Sequence, residues 1–316
     1  MGRQASVVPD RSSLPPLEQY ARLAIGTEER LVGYVEATRG CSHRCRHCPV
    51  PVIYDGRVRV VDHDAVVADV ARLVGLGARH ITFGDPDFLN AVPHAQRVVA
   101  AVHHDFPDVT FDCTVKVEHI LRHPDLWPAW ASAGCLFVTS AVETVSDPIL
   151  ERLDKGHTAA QASAAVRLVR DAGIDLRPSF LPFTPWTTVA DVLAILHFVV
   201  AHDLIGSVDP VQYSIRLLLP KGSLLLADPD VQARIGPYDP EFLTYGWASD
   251  DPAVDRLQAQ LAALVESGAA AGDSITATFL DVNAAVHAAA GTVPADPSMT
   301  AGSTEGRPRL TEPWFC

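Results

Sequence analysis

Three cysteines are crowded into a short stretch near the start of the chain. They are Cys41, Cys45 and Cys48 in the run Cys-Ser-His-Arg-Cys-Arg-His-Cys. A loop this short can wrap three thiolates around one small inorganic centre, and thiolates are the usual ligands of iron–sulfur clusters, commonly four per cluster. Three ligands leave one metal position open, which is typical of a catalytic rather than a structural site. The spacing therefore predicts a catalytic iron–sulfur centre.

A zinc site is the alternative interpretation of the same stretch, with His43 or His47 as the fourth ligand. Structural zinc sites commonly combine two Cys-x-x-Cys units, and the sequence contains no second unit to pair with the first. If zinc or an inert cluster were bound, the protein would be a non-catalytic module that binds a partner or carries electrons.

Composition excludes several classes of protein. The chain has 316 residues, of which 48% are hydrophobic and 20% charged, so it can bury a large core. No apolar run reaches the ~18 residues of a membrane helix, and no signal-peptide core is present, so we expect no membrane partner. Six cysteines are too few for a disulfide scaffold, which favours a reducing cytoplasm. The net charge of −13 disfavours nucleic acid as a partner.

Short β-branched runs alternate along the chain with segments whose apolar residues recur about every 3.6 positions. Crossover helices between successive strands indicate a parallel sheet, and six strand–helix units are fewer than the eight of a closed barrel. The predicted fold class is therefore α/β, a partial (β/α)6 barrel with a mainly helical C-terminal extension. The predicted strands are 31–37, 79–83, 108–114, 135–140, 175–181 and 210–219.

The pattern divides the chain into four parts. Residues 1–30 are expected to be an N-terminal extension, 31–225 the barrel, 226–291 a helical extension and 292–316 a mobile tail. In the helical extension, Asp251 followed by Pro252 is typical of a helix start.

The Cys-x3-Cys-x2-Cys spacing after the first predicted strand resembles the signature of the radical SAM superfamily. The resemblance covers about residues 31–225. It implies a 4Fe-4S cluster on Cys41, Cys45 and Cys48, with S-adenosylmethionine at the open iron. It also implies one-electron cleavage to a 5′-deoxyadenosyl radical, which takes hydrogen from a substrate. A small molecule or a peptide would be the substrate, and a flavodoxin or ferredoxin would donate the electron.

Further motifs extend the resemblance. Phe83-Gly84-Asp85-Pro86 is similar to the Gly-Gly-Glu-Pro stretch that receives the methionyl amine in the family. Gly84, Asp85 and Pro86 are therefore candidate cofactor-binding residues, although Asp replaces Glu and Phe83 replaces the first Gly; a plain turn is the alternative. His47 stands where the family often has an aromatic residue near adenine, and a solvated loop histidine is its alternative.

Later strands supply the remaining candidates for cofactor binding. Similar enzymes place polar residues for the ribose and methionyl groups on the fourth strand, which implies roles for Ser140 and Glu143. The spacing of these two residues also matches a capping box. Ser179 and Arg216 lie on the fifth and sixth predicted strands, facing the barrel interior. Arg216 would clamp a carboxylate, with a salt bridge at the barrel rim as the alternative.

A methylthiotransferase-like RNA-modifying enzyme is the third functional hypothesis, because such enzymes share the opening Thr38-Arg39-Gly40-Cys41. It would need a nucleic-acid-binding domain and usually a second cluster. The acidic charge and the lack of further clustered cysteines disfavour it.

The chain ends in Trp314-Phe315-Cys316 after a linker rich in Pro, Gly, Ser and Thr. This end resembles the CUAEP/CCAEP-tail radical SAM subfamily, whose tail is Cys, then Cys or selenocysteine, then Ala-Glu-Pro. The sequence stops at the first tail cysteine, so one hypothesis is that the protein continues through a selenocysteine. An ordinary terminus with a free thiol is the alternative.

Overall fold

The computed structural model describes residues 7–294 and 306–311, in which strands and helices alternate. The strands are β1 (Arg22–Ile25), β2 (Glu28–Val35), β3 (Thr38–Arg39), β4 (Arg59–Val60), β5 (His80–Phe83), β6 (Thr110–Thr114), β7 (Cys135–Glu143), β8 (Asp175–Phe180), β9 (Ile235–Asp239), β10 (Thr244–Trp247) and β11 (Arg309–Leu310). The α-helices are α1 (Val50–Tyr54), α2 (His63–Gly75), α3 (Val92–Asp105), α4 (Val117–Arg122), α5 (Leu126–Ser132), α6 (Asp147–Arg152), α7 (Ala159–Asp171), α8 (Val189–Ala201), α9 (Pro229–Gln232), α10 (Pro252–Ala271) and α11 (Ile275–Ala290).

A seven-stranded sheet in the order β11-β1-β2-β5-β6-β7-β8 forms the framework. Strands β2, β5, β6, β7 and β8 are parallel neighbours, whereas β1 and β11 run antiparallel at one edge. Parallel neighbours need crossover connections, and helices occupy each of these connections. The sheet curls into a half-barrel, which confirms the predicted partial α/β barrel. The edge strand β1 lies within the segment expected to be an N-terminal extension.

The sixth predicted strand, 210–219, is wrong. Pro210–Tyr213 forms a single 3-10 turn. Instead of a strand, the predicted segment contributes one parallel β-bridge, between Phe183 and Arg216. Proline lacks the backbone donor that a strand ladder requires. The side chain of Gln212, rather than the backbone, accepts the N–H of Phe180 at 2.9 Å. The barrel therefore has a weakly formed sixth position.

The two faces of the parallel strands differ in chemistry because successive side chains point to opposite sides. Ile81 and Phe83 belong to the apolar core beneath the helices. On the other face, His80 Nε2 lies 2.8 Å from Asp112 Oδ1, and the hydroxyl of Thr82 donates to the same oxygen at 2.6 Å. All three polar side chains are buried. The inside of the half-barrel therefore carries buried polar side chains, next to an apolar cluster that includes Val32 and Phe137.

Residues 306–311 span the open side of the half-barrel. Leu310 pairs with Leu23 of β1 at one edge of the sheet. Arg177 of β8, at the opposite edge, donates to the carbonyl of Pro308 at 3.2 Å. Arg307 donates to Ser207 Oγ at 3.0 Å and contacts carboxylates nearby. This short segment therefore ties the first and last strands together.

The C-terminal extension is mainly helical, as predicted, and it also contains a hairpin that was not predicted. Asp251 caps α10 by accepting the N–H of Ala253 at 2.8 Å, with Pro252 in the first turn as predicted. Strands β9 and β10 form the hairpin, which precedes α10 and α11. Across residues 7–294 and 306–311, no helix is both long and apolar enough to cross a membrane. The expected tail falls mostly outside the described residues, and so do Trp314, Phe315 and Cys316.

Replacing Arg307 with Ala should release the terminal segment without unfolding the barrel. The substitution removes the contacts with Ser207 and two carboxylates, worth on the order of 1–2 kcal/mol locally. Hydrogen exchange at the Thr311 amide, which donates to the Arg22 carbonyl, should accelerate about tenfold. Arg309→Ala is the control because Arg309 is exposed. Equal hydrogen-exchange protection of the Thr311 amide in both variants would contradict the conclusion that Arg307 holds residues 306–311 in place.

Candidate active site

The cysteine loop begins after β3, at the carboxyl end of β2, where barrel folds place their active sites. Cys45 is buried, Cys41 and Cys48 are half-buried, and all three are free thiols. Burial raises the pKa of the Cys41 and Cys48 thiols. Three thiols within one loop are a donor set that fits a 4Fe-4S cluster with one open iron.

The loop is held in place by backbone geometry. Gly40 adopts a φ of 81°, and a Cβ there would lie 2.3 Å from the carbonyl oxygen of Arg57. Farther along, the N–H of Arg46 donates to the carbonyl of Leu153 at 2.8 Å. The loop is thus fixed against the segment after α1 at its start and against the end of α6 in its middle.

The side-chain oxygen of Asn90 gathers donors from the loop. It accepts the Ser42 N–H at 3.2 Å and the Ser42 hydroxyl at 2.8 Å, and it lies 3.8 Å from the Cys41 sulfur. Asn90 in turn donates to the carbonyl of Asp87 at 3.0 Å. This asparagine connects the first cysteine to the turn after β5, and no sequence motif had pointed to it.

Asp85 supports the entrance to the loop. Its carboxylate accepts the Ala37 N–H at 3.0 Å and the Thr38 hydroxyl at 2.5 Å. Burial raises the pKa of Asp85 to about 6. Gly84 packs under Tyr34, whose hydroxyl donates to the Gly84 carbonyl at 3.2 Å. Of the three residues predicted to receive the methionyl amine, Asp85 is therefore engaged with the chain itself, while Pro86 is exposed.

Glu143 lies at the centre of a charged cluster beside the cysteines. Its Oε1 is 3.0 Å from His47 Nε2 and 3.0 Å from Lys155 Nζ. A bulge in the pairing of β7 with β8 leaves Glu143 with a φ of 64°, which aims its side chain differently from a regular strand. Burial opposes ionisation, but the Lys155 charge and the His47 contact outweigh it and lower the pKa of Glu143.

Ser140 and Glu143 do not form a capping box, since both lie in β7 and α6 begins later, after Ser146. The Ser140 hydroxyl is fully buried and has no hydrogen-bond partner in the described chain. Buried polar atoms are rarely left unpaired, so such an atom marks a place for a ligand or water. The structure thus brings Glu143 and His47 together beside the cysteine loop, whereas Ser140 shares a face of β7 with Val138 and Val142 of the apolar core.

Two further predicted residues have other surroundings. Ser179 is half-buried on β8, in register with Ala141 of β7. The Arg216 guanidinium forms an ion pair with Asp255 at 2.7 Å and stacks 3.5 Å from the centre of the Trp247 ring. Arg216 is thus engaged by the C-terminal extension in the manner of a rim salt bridge, the alternative to a carboxylate clamp.

Two buried lysines, Lys116 and Lys155, were not among the predicted site residues. Both are at least nine-tenths buried. Lys116 Nζ lies 3.1 Å from His43 Nδ1, and Lys155 contacts Glu143 as described. The Lys155-Gly-His157 motif was visible in the sequence, but its inward orientation depends on how α6 packs on the loop.

The model of the radical SAM superfamily matches residues 35–199, just over half of the chain. The chain belongs to this superfamily, whose members use a 4Fe-4S cluster and S-adenosylmethionine; this confirms the predicted family, enzyme class and cofactors. The resemblance of the tail to the CUAEP/CCAEP subfamily stays a prediction, because the cysteine that carries it lies outside the described residues.

Curated relatives are named as methylthiotransferases. The ribosomal protein uS12 methylthiotransferase RimO of Geobacter sulfurreducens is 25% identical over 62% of this chain and 48% of its own length. The tRNA-2-methylthio-N(6)-dimethylallyladenosine synthase of Hahella chejuensis is 25% identical over 57% of this chain and 42% of its own. The chain thus spans less than half of these relatives. The expectation that nucleic acid is an unlikely partner is not confirmed.

Solved structures share the fold. The cobalamin-dependent S-adenosylmethionine radical enzyme OxsB, with aqua-cobalamin and S-adenosylmethionine bound, superimposes with a TM-score of 0.64. It is 18% identical, over 74% of this chain and 41% of OxsB. The radical S-adenosylmethionine methyltransferase TsrM from Kitasatospora setae, with tryptophan substrate and a SAM analogue bound, gives a TM-score of 0.51 at 24% identity, over 63% of this chain and 38% of TsrM.

Substituting Gly40 with Ala should destabilise the cysteine loop more than substituting Gly56. Both glycines have positive φ, so Ala costs about 1 kcal/mol at either position. At Gly40 the added methyl also collides with the Arg57 carbonyl, whereas at Gly56 its nearest neighbour is 3.5 Å away. Urea unfolding should show a loss of at least about 3 kcal/mol for Gly40→Ala. Equal losses for the two variants would contradict the predicted collision.

His157 should make the free energy of unfolding decrease as the pH falls below about 6.5. Burial, with the Lys155 charge as a smaller cause, lowers the pKa of His157 from 6.5 to about 4. The unfolded chain therefore takes up this proton first, so the stability present above pH 6.5 is lost as the pH falls towards 4. Between pH 7.5 and pH 5 the wild type should lose about 2 kcal/mol more than His157→Gln, measured by urea unfolding. Parallel losses would refute the assignment.

Proposed function

We propose that this chain is a radical SAM enzyme that generates a 5′-deoxyadenosyl radical and abstracts hydrogen from a small-molecule or peptide substrate. The observation that carries the proposal is the loop of three free thiols at the carboxyl end of the half-barrel, within the segment matched by the superfamily. A donor set of three thiols leaves one iron of a cubane open for a substrate-like ligand.

The cofactors, when bound, supply the radical by one-electron cleavage of the sulfonium of S-adenosylmethionine. Cys41, Cys45 and Cys48 would hold the cluster. Asn90 and Asp85 act through the loop by fixing its first cysteine and its entrance. Both are positioning residues, which set the direction of the thiols.

Several residues on the barrel side of the loop are proposed to receive S-adenosylmethionine. The unpaired Ser140 hydroxyl offers a donor and an acceptor in a dry environment. Glu143, held ionised by Lys155, presents a fixed negative charge that suits an ammonium or a ribose hydroxyl. His47 is fixed by the same carboxylate and offers a ring face to the adenine. Gly84, Asp85, Pro86, Ser179 and Arg216 complete the proposed set, with Asp85 acting through the backbone that it holds and Arg216 from the rim, where it pairs with Asp255.

The proposal extends to the organisation and setting of the chain. Residues 31–225 would form the catalytic barrel, 226–291 would cover its mouth, and 1–30 and 292–316 would flank it. A flavodoxin or ferredoxin would donate the electron. A reducing cytoplasm suits the five cysteines of the described chain, all of which are free.

Formation of 5′-deoxyadenosine tests the proposal. The protein is reconstituted anaerobically with iron and sulfide, then given dithionite and S-adenosylmethionine. Cys45→Ala should abolish the product, because a cluster ligand is lost. Cys135→Ala is the matched control: Cys135 is equally buried but lies in β7 rather than in the loop. If the wild type binds iron or zinc yet makes no more product than Cys45→Ala, the chain is a non-catalytic binding module.

A methylthiotransferase-like activity is the second candidate, favoured by the names of the curated relatives. The same reconstituted protein, incubated with bulk tRNA or with ribosomal protein uS12, would then form a methylthio product detectable by mass spectrometry. If 5′-deoxyadenosine forms without a methylthio product, only the first proposed function, hydrogen abstraction from a small molecule or peptide, is supported.

A further inference from the structure

Three potential metal-ligand atoms lie close together at the cysteine loop. None of them belongs to a cysteine, so they are distinct from the cluster ligands. They are Nε2 of His43, Oδ2 of Asp87 and Nδ1 of His119. His43 lies between the first two cysteines, Asp87 in the turn after β5 and His119 on α4 after β6. The three atoms lie within 4.8 Å of one another. The carboxylate oxygen is 2.7 Å from the His119 nitrogen and 3.6 Å from the His43 nitrogen.

None of these three atoms makes a hydrogen bond of normal geometry within residues 7–294 and 306–311, and all three are shielded from solvent. The other oxygen of Asp87 is satisfied, because it accepts the Leu89 N–H at 3.1 Å. This bond fixes the carboxylate with its free oxygen towards the imidazoles. Buried polar atoms almost always have hydrogen-bond partners, so three such atoms that meet at one point and contact only one another require an explanation.

An ion pair explains only part of this arrangement. The Asp87 oxygen lies within hydrogen-bond distance of the His119 nitrogen, at 2.7 Å, but not of the His43 nitrogen, at 3.6 Å. A single divalent cation satisfies both imidazole nitrogens and the carboxylate oxygen together. Two imidazoles and one carboxylate are ligands that Zn²⁺ and Fe²⁺ accept, with open positions left for water.

We propose that His43, Asp87 and His119 form a mononuclear site for a divalent transition metal, Zn²⁺ or Fe²⁺, separate from the cluster cysteines. Ligand atoms around a metal with bonds of about 2.0–2.1 Å stand roughly 3.3 Å apart. The separations of 2.7 and 3.6 Å bracket that value, and the two imidazole nitrogens, which lie within 4.8 Å of each other, would approach by side-chain rotation on binding. The site goes beyond the proposed radical chemistry and does not depend on it.

The surroundings of His43 provide the second set of contacts that such a site needs. Its Nδ1 lies 3.1 Å from Lys116 Nζ and 3.9 Å from Glu118 Oε2. Lys116 Nζ also lies 3.6 Å from the same Glu118 oxygen. Binding of a metal at Nε2 would place the ring proton on Nδ1, so Lys116 Nζ, which donates to Nδ1 in this structure, would shift onto Glu118, and Glu118 Oε2 would move closer to accept from Nδ1. A carboxylate behind a metal-bound histidine is a common arrangement that orients the ring.

A metal here would join three segments of the chain that otherwise meet through side chains alone. It would pin the cysteine loop, through His43, to the ends of β5 and β6. The site therefore has a structural consequence that can be measured apart from catalysis.

Zinc content of the cluster-loaded protein tests the proposal. The reconstituted wild type is equilibrated anaerobically with Zn²⁺, dialysed, and analysed for zinc, iron and sulfide. We expect one additional zinc per chain with no loss of iron. His119→Ala and the near-isosteric Asp87→Asn should each weaken zinc binding at least about tenfold while iron content stays unchanged.

His123→Ala is the matched control, since His123 follows one turn after His119 and is not among the three ligands. It should bind zinc like the wild type. The zinc X-ray absorption edge should show nitrogen and oxygen neighbours at about 2.0–2.1 Å and no sulfur at about 2.3 Å. Sulfur neighbours, absence of the extra zinc in the wild type, or unchanged zinc in Asp87→Asn would each overturn the proposal.

Discussion

The buried carboxylate of Asp85 is the interaction on which the site depends. It accepts donors from Ala37 and Thr38, directly where β2 ends and the chain turns towards the cysteines. Burial disfavours the charged form, and the two donors recover part of that cost. The two hydrogen bonds to this buried carboxylate fix the backbone just before Gly40. The cysteine loop follows directly from this fixed backbone, and its next contact is that of Cys41 with Asn90.

Charge balance is the second constraint around the cysteines. Cluster thiolates are negative, and a buried negative centre needs compensation. Lys155 is buried, and the charges of Glu143 and of nearby Cys45 and Cys48 favour its protonated form enough to raise its pKa despite burial. Glu143 in turn orients His47 from the loop. One lysine therefore serves both the cysteines and Glu143, which is proposed to bind S-adenosylmethionine.

The half-barrel leaves its sides open, and the chain closes them with segments remote in sequence. Residues 306–311 join β1 to β8 through a short ladder and through Arg307. At the sixth position, the C-terminal extension engages Arg216 through Asp255 and Trp247 in place of a regular strand. Unpaired strand edges are prone to association with other chains, and covering them is a general solution.

The sequence by itself determined the cysteine triplet, the order of the five parallel strands with their crossover helices, and hence the superfamily, because spacing and hydrophobic period are local properties of the chain. It also pointed to Ser140, Glu143 and His47 as candidate cofactor-binding residues, but not to the contacts that these side chains make. Only the tertiary structure decided that a bulge turns Glu143 towards Lys155 and that Arg216 pairs at the rim. The same holds for the convergence of His43, Asp87 and His119. These outcomes depend on strand register and on contacts between distant segments, and one-dimensional spacing does not specify them.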